Sequence, residues 1–176
     1  MQTTKTQKIS AVIPSDKKLE RVITKLMSES VARADISVQG TPEEIKEKYG
    51  VSFIDPELIQ DSAYPPTKEP FLNDDFGWVV GFSFAIPFFI CLVVAIFIIG
   101  DIRSLSDNIL FAILGGIVGT AIGLSIAILV KKNHDKKLAQ QESKGGFVIW
   151  VTTHSDEQYR QVIRILKRYR PENMKI

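Results

Sequence analysis

The chain has few of the residues that enzymes and metal proteins rely on. Its 176 residues include one cysteine and two histidines. A single thiol excludes a disulfide framework, and it excludes an iron–sulfur cluster, which takes about four cysteine ligands. Neither His134 nor His154 has a cysteine or carboxylate at metal-ligand spacing, and the sequence has no glycine-rich phosphate loop and no nucleophile elbow. We therefore expect no enzyme, no metal and no cofactor.

Charge is absent from two long segments, residues 77–100 and 109–130. As helices that rise about 1.5 Å per residue, they extend roughly 36 and 33 Å, against a hydrocarbon core of about 30 Å. The sequence therefore predicts a transmembrane hairpin. No ionisable side chain lies within either span, which disfavours a proton relay or ion-coupled transport by this chain alone. Nothing before Lys8 resembles a signal peptide, so we expect the first span to act as the targeting signal.

Positive charge is distributed unequally around the hairpin. The loop at 101–108 carries only Arg103, whereas the second span is followed by Lys131, Lys132, Lys136 and Lys137. Cytosolic loops are enriched in lysine and arginine. We therefore expect both termini on the cytosolic side.

The two chain ends resemble copies of one unit. Residues 9–38 align with residues 149–176 at an offset of 140 positions through the helix, and the final strands match once the loop before them is shortened by two residues. Ser15-Asp16 then matches Ser155-Asp156, and apolar residues follow at helical spacing. Ser-Asp suits the start of a helix, and Gln158 completes a capping box in the second copy only. Strand-like runs at 8–13 and 147–153 precede the two helices, and runs at 34–38 and 172–176 follow them. Each copy is therefore predicted to be a strand-helix-strand unit.

Two such units most economically form a four-stranded antiparallel sheet backed by two helices, the ferredoxin-like arrangement. We predict an α+β protein whose split ferredoxin-like βαβ-βαβ domain is interrupted by the transmembrane hairpin. The predicted segments are the first half of the cytosolic domain at 8–40, a linker with short helices at 41–76, the hairpin at 77–130, a basic connection at 131–146 and the second half at 147–176.

Helix signals also occur in the connecting segments. Thr41-Pro42-Glu43-Glu44 supplies a cap, a first-turn proline and a capping-box glutamate, and Gly50 supplies a stop. Asp55-Pro56-Glu57 opens a second short helix. The prolines of 64–70 predict an extended spacer, and the basic connection is expected to continue the second span as a helix until Gly145-Gly146.

Glycines form a stripe on the second span. Gly115, Gly119 and Gly123 recur at four-residue spacing, which lets another helix approach closely. The partner is either the first span of the same chain or a neighbouring molecule.

Two surfaces of the cytosolic domain are candidates for contacts. If Ile9, Ala11 and Ile13 face the helices, the open face of the sheet carries a patch that is too apolar for water, at Val12, Val148, Trp150 and Thr152. This patch is either a docking face or is covered, by self-association or by residues 41–60. The second helix carries four basic residues on one side, Arg160, Arg164, Lys167 and Arg168, which suit either solvent or anionic headgroups at about 1 kcal/mol per residue.

This order of elements resembles small bacterial inner-membrane proteins with two spans. It is similar to the YflT-like stress-protein group and, more distantly, to the D subunit of alternative complex III. The resemblance is carried by the strands at Ile9 and Ile149, the helix starts at Ser15-Asp16 and Ser155-Asp156, and the glycine stripe. The D subunit has a Tyr-Ser-Pro-Phe-Pro type segment after its second strand, but this chain has Val38-Gln-Gly-Thr-Pro42, which argues against membership of a quinone complex. The resemblance implies a bacterial inner membrane and supplies no catalytic residues.

The function expected from the sequence is that of a non-enzymatic inner-membrane scaffold or sensor. Its cytosolic domain would mediate self-association or would bind a partner or ligand. The alternatives are an accessory subunit of a larger membrane complex and an enzyme or transporter component. The expected partners are the lipid bilayer and either the chain itself or another membrane protein. A net charge of only +2 and the lack of interleaved aromatic and basic residues disfavour nucleic acid.

Overall fold

The computed structural model describes residues 6–99 and 105–176, which form two compact units. The first unit holds the described residues up to Phe71 together with those from Lys137 onwards, and the second lies between Leu72 and Lys136. The two chain ends therefore belong to one folded unit. The predicted end of the first span at Gly100 and the loop residues 101–104, which include Arg103, lie outside the described residues.

The first unit is built on a five-stranded antiparallel sheet. Its strands are β1 (Gln7–Ile13), β2 (Ile36–Gln39), β3 (Thr67–Lys68), β4 (Phe147–Thr153) and β5 (Asn173–Lys175). They lie in the order β3-β2-β4-β1-β5, and each neighbouring pair is antiparallel. With the helices described below, the α+β class predicted from the sequence is confirmed.

Strand β3 was not predicted. It pairs with β2 so that Val38 opposes Lys68 and Gln39 opposes Thr67. The two prolines before it cannot donate hydrogen bonds, but the Pro66 carbonyl accepts one of 2.7 Å from the Gly40 amide. The proline-rich spacer therefore continues the sheet at its edge, where a missing N–H group is tolerated.

One face of the sheet is covered by the two helices of the repeated units, α1 (Asp16–Glu29) and α6 (Asp156–Arg168). Their apolar stripes are buried, at Leu19, Val22, Ile23 and Leu26 in α1 and at Val162, Ile165 and Leu166 in α6. Alternate strand residues are buried with them, as the predicted pattern of Ile9, Ala11 and Ile13 requires.

The capping of these two helices differs, as the sequence indicates, although the predicted box is only half formed. The Ser15 side chain makes no capping hydrogen bond, whereas the Ser155 hydroxyl accepts one of 3.2 Å from the Gln158 amide. In return, Gln158 Oε1 accepts a hydrogen bond of 3.0 Å from the His154 amide and not from Ser155. The amide one residue before the cap is therefore the one that is satisfied.

The opposite face of the sheet is covered by α2 (Pro42–Tyr49) and α3 (Pro56–Gln60). A buried cluster joins the two layers and consists of Val12, Ile45, Ile59, Val148 and Trp150. The apolar face that the sequence left either open or covered is thus closed by residues 41–60 of the same chain. This cover is one of the outcomes that the sequence left open, and it removes the apolar surface of these side chains from water, whereas Thr152 stays partly exposed.

The signals in residues 41–60 produce the helices that they predict. Thr41 and Glu44 form a complete capping box, with hydrogen bonds of 2.7 and 3.2 Å, and Gly50 ends α2 with a φ of +78°. The Asp55 carboxylate caps α3 by accepting from the Glu57 amide at 2.9 Å. The short α3 is held against the sheet by a buried hydrogen bond of 2.9 Å from Gln60 Nε2 to Ser10 Oγ.

Two long helices follow, α4 (Asn73–Val94) and α5 (Leu105–Glu142), and a π-helical turn at Ala95–Ile99 extends α4. Both are long and apolar enough to cross a membrane. The most apolar 18-residue window is only 6% buried in the first helix and 22% buried in the second, so neither is a core helix wrapped by the rest of the chain. As predicted, α5 continues beyond the apolar segment and ends before Gly145-Gly146, both of which have positive φ.

The cover over the second face makes Trp150 a core residue, with an exposed fraction of 4%. We expect Trp150→Ala to lower the free energy of unfolding by about 3–5 kcal/mol, because it leaves a cavity between the sheet and α2–α3. Denaturant titration of the detergent-solubilised chain, followed by circular dichroism, measures the change. Trp78→Ala is the matched control, since Trp78 is 70% exposed. An unchanged midpoint for Trp150→Ala would contradict the covered face.

Candidate interaction surfaces

The outer side of α6 is a basic surface. It consists of Arg160, Arg164, Lys167 and Arg168, which we call the basic face, and all four residues are exposed. They lie opposite the buried stripe of Val162, Ile165 and Leu166, because a helix places residues three, four, seven and eight apart on one side. Within the described residues, none of the four forms an ion pair with an acidic side chain. Their positive charge is therefore presented outwards.

Shallow concavities interrupt the basic face. One is lined by Arg160, Arg164, Gln161 and Glu157, and the other by Arg164, Arg168, Gln161, Ile165 and Glu29. Arg164 lines both. The carboxylate of Glu29 at the rim of the second already pairs with Lys25, its neighbour four residues earlier on α1. The guanidinium groups are thus the strongest donors available at these depressions.

Glutamine side chains position α6 against the end of α1. Gln161 Nε2 donates to the Glu29 carbonyl at 2.8 Å, and Gln158 Nε2 donates to the Ser30 carbonyl at 2.9 Å. The carbonyls at the end of a helix lack partners within that helix. The two amides satisfy such groups and hold the basic face in a defined place. Residue spacing within α6 gave no signal for these contacts, because their partners are more than a hundred residues away in the chain.

The predicted sheet face is largely enclosed. Val12, Val148 and Trp150 are 1%, 0% and 4% exposed, and only Thr152 is partly exposed. The enclosing residues Tyr49 and Ile54 are partly buried against the same cluster. Val12, Val148 and Trp150 therefore belong to the core of the first unit.

Gln141, near the end of α5, links two other segments of the domain, as Gln158 and Gln161 link α6 to the end of α1. We call such a side-chain link a glutamine clamp. Gln141 is 3% exposed, and its Nε2 donates to the carbonyl of Gly146 at 2.7 Å and to that of Ile54 at 3.1 Å. The clamp ties the segment that covers the sheet to the turn that leads into β4. Sequence reasoning missed it, since an isolated glutamine in a basic segment has no distinguishing pattern.

His154 is paired with a carboxylate. Its Nε2 donates to Asp35 Oδ1 at 2.9 Å, which joins the end of β4 to the turn before β2. The side chains are 48% and 22% exposed. This is a partly solvent-exposed contact between the two halves of the domain.

Charged groups also meet where α2 and β3 lie near Lys137. Lys137 Nζ donates to Glu43 Oε1 at 2.7 Å, and this hydrogen bond lowers the pKa of the Glu43 carboxyl below its usual value. Burial lowers the pKa of Lys68, while Glu44 and Glu43 oppose that shift. Because Glu43 and Lys137 are exposed, their ion pair contributes little to stability. The cluster is a structural contact within the first unit.

The glycine stripe lies against α4. A Cβ atom at Gly115 would be 2.5 Å from Ala95 Cβ, one at Gly119 would be 2.9 Å from the Phe88 carbonyl oxygen, and one at Gly123 would be 2.5 Å from that of Phe84. The stripe therefore lets the two long helices of one chain pack backbone to backbone. Of the two partners that the sequence left open, the structure uses the first span of the same chain.

Comparison of the chain with family models, with curated proteins and with solved structures gives no match.

The packing of the glycine stripe can be tested within the helix itself. We expect Gly123→Ala to lower the stability of the hairpin by about 1–3 kcal/mol, because the new methyl group overlaps the backbone of Phe84. Gly116→Ala is the control, since nothing lies within 4 Å of the position of its Cβ. It should leave stability unchanged or raise it by up to about 1 kcal/mol through helix propensity. Unfolding of the detergent-solubilised chain by increasing sodium dodecyl sulfate measures both, and equal effects would contradict the packing.

Proposed function

We propose that the chain is a non-enzymatic scaffold or sensor of the bacterial inner membrane, with two spans and a cytosolic interaction domain built from both chain ends. The observation that carries this proposal is the pairing of β1 with β4 along the whole of both strands, from Gln7 opposite Thr153 to Ile13 opposite Phe147. Residues on either side of the hairpin thus share one sheet. Two segments that fold together must lie on the same side of a bilayer, as a chain with two spans requires.

The cytosolic side is supported by charge. Lys131, Lys132 and Lys136 follow the apolar part of α5, and the loop between the spans has a single basic residue, Arg103. Lysine and arginine beside a span are retained in the cytosol. Together with the shared sheet, this charge bias favours the cytosolic location of both termini.

The proposed domain type is the split ferredoxin-like arrangement. Without β3, the strand order is β2-β4-β1-β5. In this order the first strands of the two units are central neighbours and the second strands flank them, with α1 and α6 as the crossover helices. That order is the one expected of two interlocked βαβ units, and we interpret β3 and the α2–α3 layer as additions to it.

A binding role is favoured over catalysis by what the domain exposes. The polar contact that most resembles a catalytic pair, between His154 and Asp35, is open to solvent. The basic face, by contrast, presents four exposed basic residues on a helix whose position is held by buried apolar residues and two glutamine amides. A charged surface held in place on a tethered domain suits recognition.

The topology is testable with single cysteines in a Cys91→Ser background. We expect Lys17→Cys and Glu172→Cys to react with a membrane-impermeant maleimide in inside-out vesicles only. Ser106→Cys, in the first turn of α5 beside the predicted loop between the spans, should react in right-side-out vesicles only. Labelling of Lys17→Cys and Glu172→Cys on different sides of the membrane would contradict the shared domain, and labelling of both from outside would contradict its cytosolic location.

The scaffold differs from an accessory subunit in what stays bound to it. After purification from native membranes in mild detergent, mass measurement should give a discrete assembly of this chain alone. Stable copurification of other membrane proteins at fixed stoichiometry would instead support the accessory-subunit alternative.

A further inference from the structure

We propose that the basic face of α6 binds the phosphate groups of anionic lipids in the membrane that holds the protein. The inference rests on the proposed function, because it takes the first unit to be a domain tethered to a bilayer. It adds a ligand class and the residues that bind it.

The positive charge on the exposed side of α6 is uncompensated beyond its first turn. Beyond the first turn of α6, its exposed side carries Arg160, Arg164, Lys167 and Arg168 and no acidic residue. These residues occupy about 12 Å of helix. The four basic residues of α1, at positions 17, 18, 21 and 25, are instead interspersed with three acidic residues, at positions 16, 20 and 29, and Lys25 pairs with Glu29. The positive charge of the helical layer is therefore concentrated on α6.

The side-chain donors of the basic face have the chemistry that binds phosphate. Three of the four residues are arginines, whose planar guanidinium groups bind phosphate oxygens through two parallel hydrogen bonds. Arg164 lines both concavities on this surface, beside Arg160 in one and Arg168 in the other. Each concavity is thus lined by two arginines, with Glu157 beside the first pair and Glu29 beside the second.

The apolar side of α6 is not available for insertion into the bilayer. Its apolar stripe is the core of the domain, since Val162 and Leu166 are both 0% exposed. An interfacial amphipathic helix binds by burying such a stripe among the acyl chains. Binding by α6 must therefore be electrostatic, dependent on anionic lipid and weakened by salt.

The bilayer is the source of phosphate that the tether favours. A domain joined to two spans stays close to lipid headgroups, which raises their effective concentration far above that of a soluble ligand. At about 1 kcal/mol per basic residue near an anionic surface, each charge removed should lower the bound-to-unbound ratio about fivefold.

The test uses the full chain in nanodiscs. A fluorophore on Glu157→Cys, in a Cys91→Ser background, reports contact through quenching by a lipid with a nitroxide on its headgroup. We expect more quenching when the phosphatidylcholine of the disc contains about one third phosphatidylglycerol, and a loss of that increment at high salt. Arg164→Gln should reduce the bound-to-unbound ratio about fivefold, and Arg160→Gln with Arg164→Gln roughly 25-fold.

Lys46→Gln is the matched control. It removes the same charge from an exposed position on α2, on the other side of the sheet, and should leave quenching unchanged. Equal loss in Lys46→Gln and Arg164→Gln would overturn the proposal, as would wild-type quenching that does not respond to phosphatidylglycerol. The salt titration of the wild-type chain needs no substitution, so it decides the matter even where a variant folds poorly.

Soluble phosphate distinguishes the two sources of the ligand. Millimolar inorganic phosphate should reduce the extra quenching caused by phosphatidylglycerol no more than chloride at the same ionic strength does. Complete displacement by inorganic phosphate would overturn the lipid assignment in favour of a soluble anion. Absence of the lipid effect in a chain whose thiol labelling matches the proposed topology would remove this inference and leave the scaffold intact.

Discussion

The antiparallel pairing of β1 with β4 is the interaction on which the structure depends. It joins strands that are 140 positions apart in the sequence and lie on either side of two long apolar helices. On its other side, β1 pairs with β5 and β4 pairs with β2, so the β1–β4 pair lies inside the sheet. Without this contact neither half has a sheet large enough to bury the stripe of its own helix. The pairing therefore assembles one domain from both chain ends.

A central pair that is apolar on both faces needs two covering layers. One face takes α1 and α6, which follow their strands directly in each unit. The other face has no repeat-derived partner, and α2 and α3 fill that place with Ile45 and Ile59 over Val12 and Trp150. Tyr49 and Gln60 each keep one buried polar atom without a hydrogen-bond partner. The second layer thus buries apolar surface but leaves these two polar atoms without hydrogen bonds, which costs free energy.

The covering of both sheet faces also determines which surfaces of the domain stay exposed. With both faces of the sheet closed and both edge strands only two or three residues long, little backbone is open for pairing with another chain. What stays exposed in the described part of the domain is mainly the polar side of its helices, and α6 concentrates the basic residues. In the second unit, the three glycines pack against α4, and the outward apolar sides of both helices stay exposed. Contacts within the chain thus occupy two of the candidate contact surfaces in the sequence, the apolar sheet face and the glycine stripe.

Local patterns in the sequence were sufficient for most elements. The Thr41-Glu44 box, the Asp55 cap, the Gly50 stop and the apolar spacing of α1 and α6 each depend on residues within one or two helical turns, so they could be predicted without tertiary information. The pairing of the chain ends was also predictable, because an internal repeat carries long-range information in a single chain. Strand β3 was missed because prolines indicate extended chain and say nothing of the carbonyls that still accept hydrogen bonds.

By itself, the sequence determined the helices, four strands, the two uncharged segments and the four basic positions of α6, since these follow from periodicity, capping and charge along the chain. Only the tertiary structure decided that residues 41–60 cover Trp150, that the glycines face α4 and that glutamines 141, 158 and 161 act as clamps. These outcomes depend on which distant surfaces meet, and burial energy is indifferent to sequence separation. An apolar patch becomes part of the core when another segment of the chain packs on it, and it is available as a docking site when no segment does.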